Sequence, residues 1–152
     1  MALVNILSTN TGFSPTFIEA FARLLPKAAG YGVRIIAPSR RDYRASTPYS
    51  DDELAVINAQ DETAHRDFLQ QRGLEVAQLL VWIVKNLNIS KHSKKGRGGL
   101  KVLGWSLGNA ILFSFLANLN TFPKELVEAV EPYIKEVIFY GERSPTGTEC
   151  YR

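Results

Sequence analysis

LKVLGWSLGNAILFSFLANL, residues 100–119, changes its pattern in the middle. Leu100 to Leu103 form a short apolar run with the look of a buried strand, which Gly104 closes. From Asn109 onward the segment is apolar on nearly every side, as expected of a helix buried by layers on both flanks. Between the two stands Gly104-Trp105-Ser106-Leu107-Gly108, a G-x-S-x-G pattern. At ordinary Gly and Ser frequencies a chain of this length carries such a pattern by chance about 0.05 times. A turn this tight forces Ser106 into strained backbone angles, and side chains at positions 104 and 108 would collide with the adjoining strand and helix. The serine Oγ is then lifted above the sheet, near the positive end of the following helix.

Upstream, the chain alternates between the same two kinds of segment. Leu3 to Leu7 reads as a strand, bounded by STNTG. Ser14-Pro15 starts a helix that carries Phe17, Phe21, Leu24, Leu25 and Ala28, with Pro26 kinking or ending it. Val33 to Ala37 is a β-branched run stopped by Pro38. Residues 39–60 carry turn residues and little periodicity. A long amphipathic helix runs from about Asp61 to Leu87, its stripe being Leu69, Val76, Leu80, Val84 and Leu87. Gly73 interrupts it at modest cost, and Trp82 packs beside the stripe. Downstream, Thr121-Phe122-Pro123 opens a further helix with Glu125 in its first turn, and IKEVIFY, 134–140, is a fourth strand ended by Gly141. The order β-α-β-α-β-α-β implies right-handed crossovers and a mainly parallel sheet with helices on both faces, in a single domain over residues 1–152.

Composition is that of an ordinary globular chain: 152 residues, 45% hydrophobic and 22% charged, which excludes disorder and collagen-like repeats. No apolar run approaches the ~20 residues of a membrane span. The first residues carry no basic region before their apolar stretch, so no signal peptide is read and a cytoplasmic location is expected. One cysteine, Cys150, excludes an internal disulfide framework. No cluster has metal-ligand spacing, and neither dinucleotide nor nucleotide fingerprints occur, so no metal and no cofactor are expected. The net charge of +3 is local: Lys85, Lys91, Lys94, Lys95, Arg97 and Lys101 crowd one loop, without which acidic groups exceed basic ones. That run lacks interleaved aromatics and reads as a solvated loop, not a nucleic-acid surface.

These features together resemble the α/β-hydrolase superfamily. GWSLG is similar to the family's nucleophile elbow. GVRIIAPSRRDYRAS is similar to its D-x-R-G-x-G-x-S strand and loop, with Arg41, Tyr43 and Ser46 fitting and Ser39, Asp42 and Arg44 departing from it. LVNILSTNTGF resembles the strand and oxyanion loop, with Thr9-Asn10 where the family usually has His-Gly. The resemblance implies Ser106 as nucleophile, Gly104 and Gly108 as the elbow glycines, and the backbone N–H groups of Leu107 and Thr11 as the oxyanion hole. It implies hydrolysis of a small ester, thioester or amide through an acyl-enzyme. Trp105 either lines an acyl pocket or shields the elbow.

The departure lies downstream. The family's triad runs Ser, Asp or Glu, then His, yet no histidine follows Ser106; His65 and His92 both precede it. Glu142, just past the fourth strand, is the nearest place for an acid. The expectation is a partial fold of about four strands, the N-terminal portion of a hydrolase, inactive as given and self-associating through the exposed edge of its fourth strand. The alternative is a non-catalytic member of the same fold that binds a ligand or partner.

Overall fold

A computed structural model describes residues 2–7, 24–42, 46–93 and 98–141. The four apolar runs become strands β1 (Ala2–Leu7), β2 (Arg34–Ile36), β3 (Leu100–Trp105) and β4 (Ile134–Tyr140). They pair in the order β2-β1-β3-β4, each neighbouring pair parallel. Parallel neighbours need long crossovers, and helices fill them: α1 (Leu25–Gly30), α2 (Asp51–Asn58), α3 (Glu62–Asn86), α4 (Gly108–Ala117) and α5 (Lys124–Val130). The chain builds outward from β1 to β2, then returns to add β3 on β1's other side. The order therefore reverses between β1 and β3, and in open parallel sheets the crevice beyond the strands' carboxyl ends at such a reversal is where ligands bind.

The core lies between β3 and the helix pair α3–α4. Along β3, Leu100, Val102 and Gly104 are buried while Lys101, Leu103 and Trp105 on the opposite face are half-buried. Val76, Leu80 and Ile83 of α3 and Leu112 and Phe115 of α4 meet the buried face. Burying one such side chain stabilises by roughly 1.5–3 kcal/mol. The expected cover of both faces is therefore uneven among the described residues: the fully buried core sits on one side. On the other, Lys101 pairs with Glu136 across to β4, and Tyr140 is exposed at the margin.

Several local expectations are corrected. Residues 51–58 are helical, not irregular, because Ser50 and Glu53 form a reciprocal capping box. Pro26 sits in the first turn of α1, where its missing N–H costs nothing; the expected helix start at Ser14-Pro15, with Phe17 and Phe21, lies outside the described residues. Gly104 belongs to β3 instead of closing it. Trp82 is 54% exposed, and Leu69 is exposed as well. Nor is α4 buried all round: Phe113 is 51% exposed and stacks on Phe139 of β4, with ring centroids 4.1 Å apart. Thr121 caps nothing on α5, whose N-terminus has no side-chain cap; its hydroxyl donates to Asn118 O and accepts from Gln70.

Gly73 does more than interrupt α3. A Cβ built there would lie 2.8 Å from the backbone N of Phe115 and the backbone C of Ser114. At the same crossing the Ser114 hydroxyl donates to Leu69 O at 2.6 Å. The two helices touch backbone to backbone, and only glycine allows that approach.

Candidate active site

Ser106 stands between the end of β3 and the start of α4 with φ = 53°. Three described non-glycine residues have positive φ, the others being Asp42 and Asn88. Asp and Asn tolerate this region because their short polar side chains bond locally; serine has less such advantage. Holding it there costs of order 1–3 kcal/mol, which the surroundings must offset. They do so with hydrogen bonds. Ser106 N–H donates to Tyr140 O at 3.0 Å, and Ser106 O accepts from Asn109 N–H at 2.9 Å. The fully buried Asn109 adds its side-chain N–H to the same Tyr140 carbonyl at 3.1 Å. The turn is thereby tied to the end of β4.

Gly104 leaves no room for a side chain, as the tight turn requires. A Cβ on Gly104 would stand 2.6 Å from Asn109 Oδ1 and 3.1 Å from Leu112 Cδ2. Gly108 is buried at the first position of α4. Gly104→Ala is expected to destabilise by about 1–3 kcal/mol through this overpacking, read as a lower denaturant midpoint. An unchanged midpoint would show that Asn109 yields freely.

The arrangement presents a hydroxyl beside one unpaired backbone donor. Ser106 is exposed, and the Leu107 amide at the mouth of α4 donates to no acceptor among the described residues. Helix N-termini favour developing negative charge. Thr11, the second expected donor, lies outside the described residues, as do Thr9, Asn10, Tyr43, Arg44, Glu142 and Cys150. Trp105 meets Tyr140 edge-on at 6.3 Å, and its indole covers Gly141, where an added Cβ would strike it. It shields the base of the turn.

No base joins Ser106 among the described residues. His92 is exposed, its N–H bonded to Pro132 O, beside Gly99 at the start of β3. The length of β3, about 17 Å, separates it from Ser106. His65 occupies the first turn of α3 with its Nε2 buried and without a partner among the described residues. Glu136 is committed to Lys101 and Glu128 to Lys124. No group of three His, Cys, Asp or Glu among the described residues could hold a metal ion, and no described helix is long and apolar enough to cross a membrane.

A second cluster was not foreseen beyond Arg41 itself. Arg41 clamps Glu53 through both terminal nitrogens, at 2.6 and 2.7 Å, and reaches Glu75 at 3.2 Å. Arg72, only 4% exposed, bonds Glu53 at 2.8 Å and Glu75 at 3.1 Å. The guanidinium groups of Arg41 and Arg72 lie 4.9 and 5.4 Å from the Tyr49 ring centre, a cation–π arrangement. The Arg41 bond, the Ser50 N–H and Arg72 together hold the Glu53 carboxyl at about 2, down from an ordinary 4.5. Between those values the folded chain keeps Glu53 ionised while the unfolded chain protonates it. Stability from this group is thus present above about 4.5 and lost as pH falls toward about 2. Glu53→Gln is expected to flatten that acid limb in melting temperatures measured from pH 5 to 2; superimposable limbs would show the network is silent.

Ser106 lines neither of two clefts formed by the described residues. One, of ≈ 370 Å³, lies at the amino ends of the strands between Arg34, Asn88 and Gly99. The other, of ≈ 210 Å³, lies between the Pro38–Arg41 turn and the α3–α4 pair. No family model, curated protein or solved structure matches this chain.

Proposed function

We propose that the chain carries the nucleophile elbow of an α/β-hydrolase-type serine hydrolase, within a partial version of that fold. One observation carries the reading: a serine at φ = 53° between strand and helix, at the carboxyl end of a strand flanking the sheet's order reversal. Ser106 Oγ attacks the carbonyl carbon of an ester, thioester or amide. The Leu107 N–H donates to the oxygen as it gains charge, and collapse expels the alcohol, thiol or amine to leave an acyl-serine that water then cleaves. Proton removal from Ser106 falls to no described residue, and this favours a second reading, a non-catalytic member that keeps the elbow for its shape.

An active-site-directed fluorophosphonate separates the two. It needs a single displacement at Ser106 and registers even a slow nucleophile. The expected result is one covalent adduct, mapped by peptide mass to Ser106 and absent from Ser106→Ala. A folded chain that stays unlabelled after prolonged exposure would leave the non-catalytic reading.

A further inference from the structure

β4 ends the sheet, with β3 on one side and no described strand on the other. Its backbone groups alternate between the two sides. Tyr140 O accepts from Ser106 N–H on the β3 side. Glu136, Ile138 and Tyr140 therefore turn their N–H and C=O toward β3, and Val137 and Phe139 turn theirs outward. No described residue bonds those outward groups. Strand edges are ordinarily blunted by charge, proline or a bulge. The amino end of β4 has such devices, a register shift opposite Leu100–Lys101 and the charges of Lys135 and Glu136. From Val137 to Tyr140 there is neither charge nor proline. Apolar surface flanks this stretch on both faces of the sheet. On one, the half-exposed Phe113 stacks on Phe139; on the other, the Tyr140 ring is exposed.

We propose that a second copy of this chain docks on this edge, β4 antiparallel to β4 about a two-fold axis at Ile138. The register follows from the outward groups, which must face one another. With the axis at Ile138, Val137 stands opposite the partner's Phe139 and Phe139 opposite the partner's Val137, and each pair exchanges both N–H···O bonds. Ile138 meets the partner's Ile138, and Glu136, held by Lys101, meets the partner's Tyr140. Neighbouring registers fit worse. An axis at Glu136 sets two carboxylates directly opposite, which is destabilising. One at Val137 sets Lys135 against the partner's Phe139. One at Phe139 runs Val137 against the partner's Gly141, whose φ of 83° has left the extended region. A two-fold contact of this kind closes on itself. The sheet's other edge does not extend it further, because β2 has only three residues and runs into Pro38.

The inference does not rest on the chemistry of Ser106. Sedimentation of the full chain over a concentration series is expected to show a monomer–dimer equilibrium without larger species. Ile138→Lys sets two ammonium groups opposite each other and is expected to weaken the dimer about tenfold or more. Mixing it with Ile138→Glu is expected to restore pairing as a heterodimer. Cross-linking tests the register without relying on either charged variant. Residue 138 and its mate form a non-hydrogen-bonded pair with Cα atoms about 4.5 Å apart, inside the roughly 4.4–6.8 Å range of a disulfide. In a Cys150→Ser background, Ile138→Cys is therefore expected to oxidise to a covalent dimer, and Glu136→Cys is not. A monomer at every concentration, a folded Ile138→Lys that dimerises as the parent does, or equal cross-linking through positions 136 and 138 would overturn the assignment.

Discussion

Replacing Gly73 with valine is expected to lower the unfolding free energy by about 3 kcal/mol or more, and alanine by about 1–2 kcal/mol. The sign is the informative part. In an exposed helix interior, Gly→Ala is favourable by about 1 kcal/mol, because glycine loses more backbone freedom on folding. Here the added Cβ would lie 2.8 Å from main-chain atoms of Ser114 and Phe115, and main chain in the middle of α4 cannot swing aside as a side chain can. To make room, α3 and α4 must separate. That loosens the Ser114–Leu69 hydrogen bond of 2.6 Å and the packing of Phe115, now 1% exposed. Urea unfolding of Gly73→Ala and Gly73→Val measures this. Stabilisation by alanine would mean that the helices slide apart freely and that the crossing contributes little.

The strands, the long helix and the turn at Ser106 were legible because each rests on a local signal: a β-branched run, a 3.6-residue stripe, a glycine on either side of a serine. The helix Asp51–Asn58 was missed, although Ser50-x-x-Glu53 is the signal of a capping box. Its eight residues are too few for a periodic stripe to stand out among turn-forming residues. Gly73, Trp82 and Phe113 were misjudged for a common reason. Helical periodicity says which face turns inward but not how near the neighbouring helix comes, nor how far the sheet extends beneath it. Trp82 lies outside the covered strip, and Phe113, about half exposed, stacks on a single ring of the sheet, Phe139.

The candidate site divides in the same way. The turn at Ser106 is contained in five consecutive residues, so its backbone geometry follows from sequence. The Arg41–Glu53–Arg72–Glu75 network joins three segments up to 34 residues apart, and nothing in the spacing of those charges announces it. Arg41 drew notice only as part of a loop pattern. Its structural role is to tie the turn after β2 to α2 and α3.

On a short p-nitrophenyl ester the purified chain is expected to turn over poorly, and Ser106→Ala is expected to change that rate by less than about tenfold. The small mutational effect follows from non-additivity. Members of a catalytic triad act as a unit, so once one is missing, removing another costs little more. What survives is the share supplied by the oxyanion hole and binding, roughly 10³–10⁴ over water. Here no base bonds Ser106 among the described residues, and both histidines lie in the chain before it, His92 at the far end of β3. The exposed hydroxyl therefore keeps its proton near neutrality and is a weak nucleophile. Its fluorophosphonate labelling should accordingly be slow and should rise with hydroxide concentration without the plateau that a titrating histidine gives. Efficient turnover that Ser106→Ala abolishes, or a labelling rate that levels off near pH 7, would place a base beside Ser106 and overturn this prediction.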